Sequence, residues 1–250
     1  MKAVHSLGIR GNMALYIKNF LSDRSFRTRV ANTLSDVHIQ EECVPQGSVI
    51  SRTLFLIAIN NITSNLPPYV KSILYVDNLV LYTSSSRAAA MERRLQMAIE
   101  RTAEWCTKNG FTFSQTKTVA VRFYRGKNPH DLRLLLYGQL ITPKESTSYL
   151  GIIFDNRLEW NHHIASVKED CMKKMNILKN ISRKTRGFDR ITLLRLYRAL
   201  IIPKLDYGCE AYASAKDRTL AKLDPVHNCV IRLHRCFQVF SRSKPLHREW

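Results

Sequence analysis

The 250-residue chain carries 39 Lys and Arg against 20 Asp and Glu, a formal net charge of +19 with a pI near 10. That excess favours a polyanionic partner, nucleic acid before an acidic membrane surface, because no basic amphipathic helix with a clean Trp/Leu face stands out. A hydrophobic fraction of 45% with 24% charged residues excludes a disordered chain, and the longest apolar run, 54–59, is too short to cross a bilayer. No apolar block follows Lys2 and Arg10 as a signal peptide requires, and six cysteines without a C-x-x-C suit reduced thiols. The expected location is intracellular, in nucleus or cytoplasm.

Ala14, Ile17, Phe20 and Leu21 repeat at helical spacing and predict a helix over 12–22. In "FRTRVANTL", Phe26, Thr28 and Val30 alternate with basic residues, the pattern of a half-buried strand. "VPQGSVISRTLFLIAINNI" reads as a loop at Pro45 and Gly47 running into a buried helix. "ILYVDNLVLYTS", 73–84, holds two β-branched and aromatic runs around Asp77-Asn78 and predicts a hairpin. A long amphipathic helix follows over 87–109, with Met91, Leu95, Ile99 and Cys106 on one face and Gly110 as its stop. Strand-like runs come next at "TVAVRFY", "LRLLLYG" and "SYLGIIFD". From Glu159 onward the pattern is helical: Ile164, Val167, Cys171 and Leu178 at heptad-like spacing, then 191–202 ended by Pro203, then 220–240. The fold class is therefore α+β, with a mixed part over 1–156 and a basic helical part over 157–250.

Asp77-Asn78 admits two readings. Asp and Asn both tolerate positive φ and suit a two-residue hairpin loop. The same tight turn can hold carboxylates rigidly at a sheet edge, as two-metal phosphoryl transfer requires of aspartates that space divalent cations about 4 Å apart. Asp77 can supply such a ligand; the Asn78 amide offers an oxygen without charge.

The neighbouring segments favour the second reading. "VPQGSVIS" at 44–51, the hairpin, "NGFTFSQTKT" at 109–118 and "YLGIIFD" at 149–155 follow one another in an order that resembles the reverse transcriptases of non-LTR retrotransposons, of the jockey-like or LINE-like kind. "FLSDRSFRTRV" looks like the segment those enzymes carry before the Gln-Gly loop. "LYRALIIPKLDYGCEAYASA" and "LDPVHNCVIRLHRCF" look like their post-palm helical region. The resemblance implies a partial polymerase palm over 1–156, an antiparallel sheet backed by the helices near 48–62 and 87–109, and a thumb-like helical region over 157–250.

It also implies an activity, RNA-templated DNA synthesis with Mg²⁺ (an RNA-directed DNA polymerase extending a DNA primer on an RNA template), and roles for particular residues. Asp77 matches the first hairpin aspartate, a metal ligand, and Asn78 stands in place of the second. Gln46 and Gly47 match the loop that positions template and incoming nucleotide. Lys117 matches a lysine near the nucleotide phosphates, where an ammonium could neutralise or protonate leaving pyrophosphate. Tyr149, Leu150 and Gly151 match the primer grip. Taken without that context, Lys117 reads as a solvated surface lysine and Tyr149 as an ordinary strand residue.

Departures from the pattern set a further expectation. Asn78 removes one carboxylate, Arg52 replaces a usual proline, and Cys43 replaces a usual glycine. The family's other metal-binding aspartate lies in an F-D-x-x-x-A-F-D segment upstream of the part that "LGIRGN" resembles. Phe154-Asp155 belongs instead to the primer-grip strand and Phe188-Asp189 to a loop between helices. Asp77 alone would not organise two divalent cations, so the chain as given is expected not to catalyse synthesis, and Mg²⁺ binding rests on family resemblance only. The alternative reading is a non-catalytic, basic nucleic-acid-binding remnant. Finally, His227, Cys229, His234 and Cys236 fit no common structural-zinc spacing, whereas Val226, Cys229, Val230, Leu233 and Phe237 share one helical face, which favours core cysteines. His162-His163 reads as a helix N-terminal turn.

Overall fold

The computed structural model of the chain describes residues 1–40, 43–124, 126, 132–182 and 188–235. It divides into two compact units, one formed by 1–118 with 133–141 and the other by 119–132 with 142–250.

In the first unit, α1 (Lys2–Ser6), α2 (Gly11–Leu21) and α3 (Val49–Ile59) meet around buried Val4, Ile17 and Leu54. Ile17 lies three residues from buried Ala14, which places both on one face of α2, as the apolar spacing predicts. α4 (Ala88–Lys108) buries Ala98, Thr102, Ala103 and Cys106, again at three- and four-residue spacing, and Gly110 ends it at φ +76. Phe111 then folds back, stacked on Trp105 at 6.0 Å and edge-on to Phe55 of α3 at 6.4 Å. On the opposite side, the Gln96 carboxamide closes on the edge of the strand Leu135–Leu136. Its Oε1 accepts from the Leu135 N–H at 2.8 Å and its Nε2 donates to the Leu135 carbonyl at 3.2 Å. A side chain thus satisfies an edge that would otherwise be left open.

The segment 23–40 departs from expectation. Its strands are short, Arg24–Phe26 paired with His38–Gln40 and Arg29–Val30 with Thr33–Leu34, and Phe26, Thr28 and Val30 are exposed rather than half-buried. Alternation alone does not bury a face; a packed layer must lie against it.

The second unit is built on α5 (Asn161–Ile181), whose His163, Ile164, Val167, Cys171, Met175 and Leu178 are all buried. The heptad-like spacing seen in the sequence is the inner stripe of this helix. α6 (Arg190–Leu200) starts at Asp189, whose carboxylate accepts from the Ile191 and Thr192 N–H groups. Pro203 does not simply end that helix: it sits in the first turn of α7 (Ile202–Asp206), where its missing N–H costs nothing. α8 (Cys209–Tyr212), α9 (Asp217–Leu220), a 3-10 turn Ala221–Leu223 and α10 (Asp224–Arg235) complete the described chain. Val226 is fully buried against Cys171, Met175 and Leu178, with Cys229 packed on the same cluster. Cys229 therefore has the core position expected of it, and the His227 ring faces the Tyr197 hydroxyl at 3.3 Å. Cys236 and Phe237 lie outside the described residues.

The architecture is α+β. In place of one antiparallel sheet, the described strands form six separate two-stranded ladders, five antiparallel and one parallel, Thr142–Pro143 with Val119–Ala120. The two longest ladders, Lys71–Tyr75 with Asn78–Tyr82 and Ser146–Tyr149 with Ile152–Asp155, are hairpins closed by two-residue turns. No helix among the described residues is long and apolar enough to cross a membrane.

Candidate polymerase site

The sequence-predicted residues fall at four places along the chain. Gln46 and Gly47 form an exposed turn just before α3. Gly47 takes φ +92, and a Cβ there would meet nothing within 4 Å, so the backbone conformation demands glycine and the space beside it stays open to a ligand. Arg52 is exposed on α3. Lys117 is exposed in a turn after Phe111, where the Thr118 N–H and hydroxyl both donate to the Ser114 carbonyl, at 3.0 and 2.7 Å.

Asp77 lies at the tip of the hairpin formed by Lys71–Tyr75 and Asn78–Tyr82. The register pairs Tyr75 with Asn78, Leu74 with Leu79 and Ser72 with Leu81. The turn is therefore Val76-Asp77, not Asp77-Asn78, and Asn78 is the first strand residue. Val76, not Asp77, takes the positive φ, at 53°. Moving the turn by one residue leaves Leu74, Leu79 and Leu81 on the same side of the ladder, so the hydrophobic pattern is equally satisfied by both registers. That side carries the half-buried Ser72, Leu74, Leu79 and Leu81, and α4 packs along the Asn78–Tyr82 strand; on the other side Ile73, Tyr75 and Tyr82 are exposed and Val80 is half-buried.

The Asp77 carboxylate is exposed, and its Oδ1 accepts from Asn78 Nδ2 at 3.1 Å. A second aspartate at 78 would repel that oxygen; the amide instead binds it. No hydrogen bond or ion pair among the described residues joins Asp77 to Lys117, Gln46 or Gly47. No group of three or more His, Cys, Asp or Glu among the described residues is placed to hold a metal ion. One exposed carboxylate, already engaged by an amide, does not fit the two-cation centre that nucleotidyl transfer requires.

Tyr149, Leu150 and Gly151 lie on a second hairpin, Ser146–Tyr149 against Ile152–Asp155. Tyr149 pairs with Ile152, and Leu150-Gly151 form a two-residue turn with φ of +49 and +81, the signs of a type I′ turn. Its surroundings were not legible as a site in the sequence. Tyr207 donates its hydroxyl to the Leu150 carbonyl at 2.5 Å, and Gly208, at φ +72, lies so close to Ile152 that a Cβ would stand 2.5 Å from Cδ1. The strand's end is held as well. Asp155 Oδ1 accepts from the Arg157 and Glu159 N–H groups and Oδ2 from Trp160, at 3.1, 2.9 and 2.7 Å. Burial alone would raise this carboxyl, but the donors from Glu159, Trp160 and Arg157 outweigh it and hold Asp155 below the usual carboxylate range. Both oxygens serve the loop that turns into α5, which agrees with assigning Phe154-Asp155 to the strand rather than to a metal. Next along the loop, Trp160 donates through Nε1 to the Ser214 hydroxyl, and His163 Nδ1 accepts from the Ile153 N–H at 3.3 Å. His163 is buried, its Nε2 has no partner among the described residues, and burial together with the Lys204 ammonium pushes it below the ordinary imidazole range.

A sequence profile of the family described as "Reverse transcriptase (RNA-dependent DNA polymerase)" matches residues 1–154. The chain belongs to that family. Within it, its likeness is to the non-LTR retrotransposon polymerases of the jockey kind. It is 25% identical over 244 residues to the "Probable RNA-directed DNA polymerase from transposon BS" of Drosophila melanogaster, covering 93% of this chain and 26% of that protein. It is 23% identical over 243 residues to the "RNA-directed DNA polymerase from mobile element jockey" of the same species, covering 94% and 26%. A third relative, the "Putative 115 kDa protein in type-1 retrotransposable element R1DM" of that species, is 24% identical over 216 residues, covering 86% and 21%. The chain thus spans about a quarter of the length of these relatives. No solved structure matches it.

Proposed function

We propose that this chain holds an RNA template and DNA primer as part of a reverse transcriptase, and that the 250 residues as given do not complete the Mg²⁺ centre for DNA synthesis. In this reading 1–156 is a partial palm and 157–250 a thumb-like region. Asp77 supplies one metal ligand, with Asn78 the degenerate second position. Gln46 and Gly47 position template and nucleotide, Lys117 serves the nucleotide phosphates, and Tyr149, Leu150 and Gly151 grip the primer. Free thiols at the described cysteines suit a reducing compartment, so the reading places the chain in nucleus or cytoplasm.

The single observation that carries the inactivity is the Asp77–Asn78 contact: the second carboxylate of the pair is replaced by an amide that donates to the first. Divalent cations facing polyphosphate need several anionic oxygens each, and one carboxylate leaves most of that charge unbalanced. Primer extension on an RNA template with Mg²⁺ or Mn²⁺ tests this. The expected outcome is no incorporation above background; incorporation that disappears in Asp77→Ala overturns it.

The net charge of +19 favours a second reading, nucleic-acid binding that needs no catalysis. Lys and Arg on phosphates release counterions, so affinity should fall steeply with salt and be indifferent to Asp77→Ala. Fluorescence anisotropy with a labelled primer–template across a salt series measures both, and absent or salt-independent binding sinks this reading.

A further inference from the structure

The loop that Asp155 organises delivers α5 to a second feature. Its first residue, Asn161, lines a cavity of about 290 Å³ together with Glu159, Lys216, Arg218, Thr219 and Lys222. Three of the six lining residues are cationic and one is acidic; Asp217 and Asp224 of the same segment do not line it. Among the described residues no ion pair engages Lys216, Arg218 or Lys222. Lys222 is held in place by donating to Asn161 Oδ1 at 2.7 Å, and the Asn161 amide in turn donates to Glu159 at 3.4 Å. Thr219 is only 7% exposed, yet its hydroxyl makes no hydrogen bond among the described residues. The residue before α5, Trp160, is in the left-handed region and gives the helix no side-chain cap. Asn161, which opens this 21-residue helix, is the residue of its first turn that lines the cavity.

We propose that this cavity binds a phosphate group of a nucleic-acid backbone, fixing the primer–template against the helical region. Three lining cations, and beside them the Thr219 hydroxyl, which has no partner among the described residues, favour a small tetrahedral anion. Contacts of this kind set register on the nucleic acid without reading its sequence. The inference rests on the nucleic-acid reading above and adds where the charge acts.

The test uses the full 250-residue chain and the labelled primer–template across a salt series. One variant combines Lys216→Gln, Arg218→Gln and Lys222→Gln. A control removes the same charge elsewhere through Lys18→Gln, Arg93→Gln and Lys179→Gln, all exposed positions. Thr219→Val removes the hydroxyl without changing charge. The cavity variant is expected to lose about tenfold or more in affinity and to flatten the salt dependence by roughly one phosphate contact, with the control losing clearly less. Thr219→Val should weaken binding about threefold with the salt slope unchanged. Equal losses in the cavity variant and the control, or none in the cavity variant, overturn the site while leaving nucleic-acid binding standing. A wild-type chain that does not bind overturns both. Protection of the cavity by inorganic phosphate, with nucleic-acid affinity unmoved by the variants, overturns the nucleic-acid source.

Discussion

The hairpins at 71–82 and 146–155 share a construction and differ in what surrounds it. Each closes through two residues, and each places a bulky apolar residue first in the turn at positive φ, Val76 at 53° and Leu150 at 49°. Around Leu150-Gly151 the chain supplies a hydroxyl donor from Tyr207, close packing from Gly208, and an aspartate holding three backbone N–H groups at the strand's end. At the Val76-Asp77 tip, the side-chain hydrogen bond among the described residues is the one that Asn78 donates to Asp77. The Leu150-Gly151 turn is held by its own chain on several sides, whereas the Val76-Asp77 turn leaves the Asp77 carboxylate exposed at its tip. The 71–82 ladder pairs Tyr75 with Asn78 and does not need a carboxylate at 78 to form.

The comparison breaks first at Asp155. Asp155→Ala leaves three N–H groups of the 157–160 loop without their acceptor, and we expect a loss of about 3 kcal/mol in urea unfolding followed by circular dichroism. A loss below about 1 kcal/mol would mean that water replaces the carboxylate and that this hairpin is no better secured than the other. Because Asp155 is held below the carboxylate range, its contribution is present above the unfolded value near 3.8 and lost as pH falls through the folded one. His163, beneath the same hairpin, gives a smaller effect in a different window. Its folded pKa lies below the ordinary 6.5, so on acidification the unfolded chain takes up this proton first. Stability contributed through His163 should therefore decline as pH falls from about 6.5 towards the folded value and stay level above it. His163→Asn keeps an acceptor for Ile153 and cannot titrate; unfolding at pH 7.5 and 5.5 should show a shallower decline in the variant than in the wild type. Equal slopes would refute the assignment.

Helical elements were the most legible in the sequence, because α2, α4 and α5 carry their buried residues at three- and four-residue spacing. The hairpins were legible as pairs but not in register, since Leu74, Leu79 and Leu81 lie on one side whether the turn is 76–77 or 77–78. The 23–40 segment misled because alternation reports a strand's two faces, not whether anything covers them. At the candidate site, the ordered motifs were enough to identify the family. Tyr207, Gly208 and the cavity at Asn161 were not visible, because each acts through contacts with residues more than 50 positions away in sequence, such as Tyr207 with Leu150 and Lys222 with Asn161.

The smallest prediction separates the two turns most directly. An L-residue with a Cβ pays about 1–2 kcal/mol in the left-handed region, more when β-branched, and glycine is free of that cost. Glycine in turn loses more entropy on folding, about 0.5–1 kcal/mol relative to alanine. Val76 is exposed, so removing its side chain forfeits little burial, and Val76→Gly should stabilise the chain by about 0.5 kcal/mol. Leu150→Gly relieves the same conformation, but the Tyr207 hydrogen bond already fixes that turn, so the added freedom of the unfolded chain should leave it no more stable than wild type. Midpoint shifts of both variants in urea read the contrast. If Val76→Gly destabilises, the Val76 side chain supports the Asp77 tip through packing, and the open turn is as firmly built as the clamped one.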